Sequence, residues 1–128
     1  MFTKVHHVAI ICSDYERSKE FYTNTLGLTV IEETYRKERN SYKLDLAVGE
    51  HTQIELFSFP DSPKRPSYPE ARGLRHVAFE VTDLDDAVQH LRKKGVSSLE
   101  DIRLDELTNK RFTFFADPDG LPIELYEK

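Results

Sequence analysis

Only one cysteine, Cys12, occurs among the 128 residues, so no disulfide framework within the chain is possible. Tryptophan is absent, and no apolar run approaches the roughly 20 residues needed to cross a bilayer as a helix. The amino-terminal residues lack a basic stretch followed by an apolar one, so no secretory leader is expected and the reading is cytoplasmic. Positive charge is in deficit as well: 18 Lys and Arg stand against 23 Asp and Glu, for a formal net charge of −5. That field repels nucleic acid and anionic membrane surfaces, so neither is an expected partner and a small-molecule substrate is. Proline is scarce outside one place. Four of the 6 prolines, Pro60, Pro63, Pro66 and Pro69, crowd into one polar segment that suits a linker.

On either side of that segment the chain repeats itself. Val5-His6-His7-Val8-Ala9-Ile10 recurs as Leu74-Arg75-His76-Val77-Ala78-Phe79, and Gln53-Ile54-Glu55-Leu56-Phe57 recurs as Pro122-Ile123-Glu124-Leu125-Tyr126. His7 to Glu55 is 55 − 7 = 48 residues and His76 to Glu124 is 124 − 76 = 48. Asp14 and Asp83 open the helical stretches at the same offset of 69. At this length the two copies must share one domain, with module one over 4–59, a linker over 60–73 and module two over 74–127.

Each module reads β-α-β-β-β. In the first, Val5 to Cys12 is a strand; Asp14 caps a helix running to about Thr25, where Gly27 stops it. Strands follow over 28–36, 42–48 and 52–59. In the second, a strand over 74–82 precedes a helix over 83–94, and strands are expected over 96–103, 111–116 and 121–127. Asp117-Pro118-Asp119-Gly120 joins the last two, because proline presets φ and glycine accepts φ > 0.

Strand alternation then sorts the chemistry. Val8 with Ile10, and Val77 with Phe79 and Val81, belong to faces that bury against the helices, so His7 and His76 point the other way. Ile54 with Leu56, and Ile123 with Leu125, leave Glu55 and Glu124 on that same opposite surface. A lone strand histidine is usually structural or solvated, and so is a lone carboxylate. Four such residues at duplicated positions are different, because carboxylates crowded among imidazoles need a compensating cation. One divalent metal ion per site, held by His7, Glu55, His76 and Glu124, is the economical reading; nitrogen and oxygen donors without thiolate suit Zn, Ni, Co, Mn or Fe alike. His6 falls on the helix-facing side by parity, His51 in a turn and His90 in the second helix, so all three are read as structural or surface groups. Arg36, Arg39, Lys43, Arg72, Arg75 and Arg111 are the cations available to an anionic substrate group.

The duplicated unit, the His-Val-Ala starts at His7 and His76, Phe21-Tyr22 followed by Leu26-Gly27-Leu28, and the ending from Asp117 to Leu125 resemble the vicinal oxygen chelate superfamily of glyoxalase I, fosfomycin-resistance proteins and extradiol dioxygenases. Glu55 to Pro60 and Lys110 to Phe115 are further similar to small bacterial glyoxalase-like proteins of the YaeR type. The resemblance implies an α+β fold in which two βαβββ modules pair into a curled mixed sheet around a concave metal cleft. It implies metal ligands at His7, Glu55, His76 and Glu124, and a ligand glutamate, Glu124 or Glu55, as the base that moves a proton while the metal stabilises charge on substrate oxygen.

The residues that grip glutathione in glyoxalase I are missing, since Ile11 and Phe59 stand at the positions of its arginine and asparagine. The expected activity is therefore a metal-dependent lyase or isomerase of the glyoxalase type acting on a small oxygen-chelating metabolite not tied to glutathione. The alternatives are a small-molecule binding or resistance protein using the same cleft, and an Fe-dependent dioxygenase. The last normally uses two histidines and one carboxylate, so the second glutamate counts against it. Each module has a sheet face with no helix over it, so a homodimer is expected.

Overall fold

In a computed structural model describing residues 1–128, the chain divides into two compact units, Met1–Lys64 and Arg65–Lys128. In the first, strand β1 (His7–Cys12) alternates as an amphipathic strand must: Ile10 and Cys12 are buried, while His7, Ala9 and Ile11 are exposed. Helix α1 (Tyr15–Glu20) starts at Asp14, whose carboxylate accepts the Arg17 backbone N–H at 3.2 Å. It does not continue as α-helix to Thr25. Residues Phe21–Thr25 widen into a π-helical turn, closed by the Leu26 N–H to the Phe21 carbonyl at 2.9 Å, and Gly27 at φ +75° redirects the chain. The wide turn seats Tyr22, which is fully buried.

Strands β2 (Thr29–Arg36), β3 (Ser41–Val48) and β4 (Thr52–Ser58) complete the unit in the order β1-β4-β3-β2. β1 runs parallel to β4 and the other neighbours are antiparallel. The register sets Ile10, Leu56 and Leu44 in one row and Val8, Ile54 and Leu46 in the next. These rows form the core of the unit, each fully buried leucine contributing roughly 1.5–3 kcal/mol relative to exposure.

The second unit repeats the plan with β5 (Val77–Val81), α2 (Leu84–Lys93), β6 (Arg103–Asp105), β7 (Lys110–Ala116) and β8 (Pro122–Glu127), in the order β5-β8-β7-β6. Asp83 caps α2 by accepting the Asp86 N–H at 3.0 Å. Leu84, Val88 and Leu91, spaced for one helical face, are its buried residues. The rows here are Val77, Ile123, Phe115 and Phe79, Leu125, Thr113.

Three expected strands are shorter than the sequence suggests, the first being β1, which starts at His7 and not at Val5. β5 begins at Val77, so His76 sits one residue ahead of the ladder. The strand expected over 96–103 is absent except at its last residue, and β6 is Arg103–Asp105. Residues 98–100 instead run beside β7 through single contacts: Ser98 Oγ accepts the Ala116 N–H, the Glu100 N–H reaches the Phe114 carbonyl, and Thr113 Oγ1 donates to the Glu100 carbonyl at 2.7 Å. Side-chain bonds replace the ladder there, which frees the backbone from strand geometry. The linker segment carries no helix or strand; Arg65 fastens it locally by donating to Ser67 Oγ and to the Arg75 carbonyl at 2.6 Å.

Candidate metal centre

In the first unit the parallel pairing of β1 and β4 sets Ala9 opposite Glu55, and His7, two residues earlier on the same face, reaches across diagonally. His7 Nε2 lies 3.4 Å from Glu55 Oε2, with the glutamate side chain only 14% exposed. On the antiparallel side Asp45 stands opposite Glu55. Lys43 Nζ bonds Asp45 Oδ1 at 2.8 Å and lies 3.8 Å from Glu55 Oε1. The Asp45 hydrogen bond, opposed by burial and helped by the charges of Asp45 and Glu55, holds the Lys43 ammonium above its usual range. The lysine is therefore a fixed positive charge that offsets two carboxylates.

The second unit builds the same pair. Ala78 is opposite Glu124, and His76 Nε2 is 3.0 Å from Glu124 Oε2. Behind the ring, Arg75 Nη1 is 2.9 Å from His76 Nδ1. Arginine can only donate, so Nδ1 accepts and Nε2 carries the proton given to Glu124. Phe114, opposite Glu124 in the ladder, meets the His76 ring edge-on at 5.0 Å between centroids.

The donor sets fit a divalent cation. Ligands about 2.0–2.2 Å from a common metal stand roughly 2.9 Å apart at a right angle and about 3.3 Å apart at the tetrahedral angle, and the observed N···O separations are 3.0 and 3.4 Å. A cation held by His76 Nε2 and Glu124 would replace the hydrogen bond between them. A neutral imidazole holding a cation through Nε2 carries its proton on Nδ1, so Arg75 must then turn away from that atom. Each unit on its own brings together one imidazole and one carboxylate, and no group of three or more His, Cys, Asp or Glu side chains is assembled within either.

The other sequence candidates fall into place around these pairs. His6 is exposed, not helix-facing, because it precedes the ladder of β1; its Nδ1 contacts His7 Nδ1 at 3.0 Å with the rings perpendicular. His51 is exposed beside Glu50, and His90 lies on the exposed side of α2. Arg111 is committed elsewhere, to Asp85 at 3.0 Å and Glu127 at 3.1 Å. Arg36 and Arg39 lie over aromatic rings, at 4.9 Å from Phe57 and 5.1 Å from Phe59. Ile11 and Phe59 occupy the positions expected to lack the glutathione grip; Ile11 is exposed, and Phe59 stacks on Phe57 at 5.8 Å. Arg72 is exposed. Arg103 was not among the sequence candidates, yet its guanidinium lies 4.9 Å over Phe112. The offset of 69 aligns it with the uncharged Thr34, so the repeat does not single it out.

Among known proteins, the uncharacterized protein YwkD of Bacillus subtilis (strain 168) is 62% identical over 100% of this chain and 99% of its own length. The uncharacterized protein YaeR of Escherichia coli (strain K12) is 58% identical over 98% of this chain and 96% of its own. A crystal structure of the glyoxalase family protein from Enterococcus faecalis, 47% identical, superposes with a TM-score of 0.90 and covers 98% of each chain. Enzymes are found at greater distance. A 2-epi-5-epi-valiolone epimerase of Actinomyces sp is 30% identical over 94% of this chain and 77% of its own. A lactoylglutathione lyase of Salmonella typhimurium is 27% identical over 94% and 90%. The model of the Glyoxalase/Bleomycin resistance protein/Dioxygenase superfamily matches residues 4–125, and with a fold of two four-stranded mixed sheets the chain belongs to that superfamily.

Proposed function

We propose that the protein is a divalent-metal-dependent lyase or isomerase of the glyoxalase type, acting on a small metabolite that presents two adjacent oxygens. The observation that carries this reading is the repeated pair: an imidazole nitrogen and a mostly buried carboxylate oxygen, 3.4 Å apart in one unit and 3.0 Å in the other. Two such pairs make a four-donor set for one cation, contributed by His7, Glu55, His76 and Glu124. When bound, the metal supplies a Lewis acid for charge developing on substrate oxygen. The chain's own part is positional and protonic. Glu55 or Glu124 takes a proton from the carbon beside that oxygen and returns it, as lyases and epimerases of the superfamily require of a base. Lys43 keeps the surroundings of Glu55 from accumulating negative charge. His6 contacts Nδ1 of His7 and orients that ring.

Neither unit holds four donors alone, so the set is completed by pairing units, and we place that pairing in a homodimer. The reading is tested by mass spectrometry of protein purified without added metal: about one transition-metal equivalent per four-donor set is expected, and metal-free protein that takes up none on titration refutes it. Glutathione is not expected to be the carrier. With Ile11 and Phe59 at the gripping positions, turnover of the methylglyoxal–glutathione hemithioacetal should fall far below an ordinary enzymatic kcat of about 10 s⁻¹. Turnover at that ordinary rate would restore the glutathione route.

A further inference from the structure

The two modules keep the same donor pair but surround it differently, and the differences sit at matching register positions. In module one Thr34 lies opposite Lys43, and Asp45 opposite Glu55. The offset of 69 carries these to Arg103 opposite Phe112, and Phe114 opposite Glu124. Module one thus surrounds its pair with a self-neutralised lysine and aspartate. Module two surrounds it with aromatic rings and arginine.

The arginines are placed as ligands need them. The Arg103 guanidinium carbon lies 4.9 Å from the centre of Phe112 and 5.8 Å from that of Phe114. Phe114 also carries Arg75 at 5.8 Å, and its ring meets His76 at 5.0 Å. Cation–π contact holds a guanidinium in position while leaving its N–H fork free for a planar oxyanion. Arg75 makes no ion pair. The one carboxylate paired with Arg103 is Glu100 at 3.2 Å, both side chains being more than half exposed. Such an exposed surface pair is weak, so a ligand can displace it. Of the other acids nearby, Glu124 is held by His76, and Asp105 by the Tyr126 hydroxyl at 2.9 Å and the Leu107 N–H, while Asp101 shares the surface with Glu100. Arg75 and Arg103 thus stand around one ring, Phe114, and Glu100 is the one carboxylate paired with either of them. The surface beside Arg103 is an open depression of about 470 Å³ lined also by Leu99, Glu100 and Asp101.

We propose that Arg103, held on the Phe112–Phe114 platform, binds an oxyanion, and that the substrate carries a carboxylate or phosphate a few carbon atoms from its chelating oxygens. The chelating end rests on the metal-site reading above; the anion site does not. The separation follows from the contacts, since one aromatic ring, Phe114, lies between the guanidinium and the His76 imidazole. Arg103 is then a specificity-determining residue: it selects substrates by their distal charge and takes no part in proton transfer.

The test uses the purified full chain, with metal content measured on the same sample and three probes titrated calorimetrically. 2-Oxoglutarate and 2-oxopentanoate share a chain length and a chelating end and differ in the distal carboxylate. Glutarate lacks the 2-oxo group and reads the anion site with little contribution from chelation. Wild-type protein should prefer 2-oxoglutarate by about tenfold or more; Arg103→Met should reduce the preference to less than about twofold and weaken glutarate equally, leaving metal content unchanged. A wild type with no preference, or an Arg103→Met chain that keeps it, overturns the assignment. Glu100→Gln supplies a second arm should the arginine variant fold poorly: removal of the competing carboxylate should tighten glutarate several-fold, and unchanged affinity counts against the site. Protein that holds metal but ignores glutarate defeats the anion site alone. Protein that holds no metal but binds glutarate through Arg103 defeats the metal reading and leaves the anion site in place.

Discussion

His76→Ala should lose stoichiometric metal binding, and His7→Ala should do the same. The apparent free energy of a four-ligand site is on the order of 10–16 kcal/mol near neutral pH, so one ligand accounts for roughly 2.5–4 kcal/mol, and its removal weakens binding by a factor of about 10² to 10³. Alanine in place of His76 also leaves Glu124 without the group that shares its proton, at 14% side-chain exposure. The residual site is therefore both short of a donor and poorly compensated. Unchanged metal content in both single variants would show that the cation, if any, sits elsewhere. The same two variants report on assembly. When a His7→Ala chain and a His76→Ala chain are unfolded and refolded together, a set shared between chains leaves one of the two sites of the heterodimer intact, so the isolated heterodimer regains half the wild-type metal content. A set made within one chain regains none. Sedimentation as a monomer at micromolar concentration would reject the homodimer directly.

Leu56→Ala should be among the most destabilising single substitutions in the chain, by about 2–5 kcal/mol. Leu56 is fully buried at the middle of a row flanked by Ile10 on the parallel neighbour and Leu44 on the antiparallel one. Both neighbouring strands are fixed by their ladders, so the walls cannot collapse into the space left behind. The residue next in sequence, Glu55, faces the other way. The substitution therefore separates stability from chemistry: denaturant unfolding should shift to lower midpoint while metal stoichiometry of the remaining folded protein holds. An unfolding midpoint equal to wild type would mean that the row is not the core of the unit.

The donor pairs were legible in the sequence because strand alternation has a period of two and the duplicated motifs fixed its phase twice: once at Ile54-Glu55-Leu56, again at Ile123-Glu124-Leu125. The same rule failed at His6, where it was extended one residue beyond the ladder that enforces it. It failed also over 96–103, where Ser98, Glu100 and Thr113 trade side-chain and isolated backbone bonds for a ladder. Such bonds join residues 13 and more positions apart and leave no local periodicity to read. Arg103 escaped notice for a related reason. Its rings belong to β7, and only the pairing of β6 with β7 sets Arg103 opposite Phe112.

The π-helical turn at Phe21–Thr25 records how the two halves have diverged in length. From the capping aspartate to the terminating glycine, module one counts 27 − 14 = 13 residues and module two 95 − 83 = 12. An inserted residue in a regular α-helix would rotate everything after it by about 100° (360° over 3.6 residues) and swing the buried face out to solvent. A single turn closed by an i to i+5 bond absorbs the insertion where it occurs, so Tyr22 stays inside and β2 starts in phase. The helix is thus the part of this fold that tolerates an indel, and the strands bearing histidine and glutamate are insulated from it.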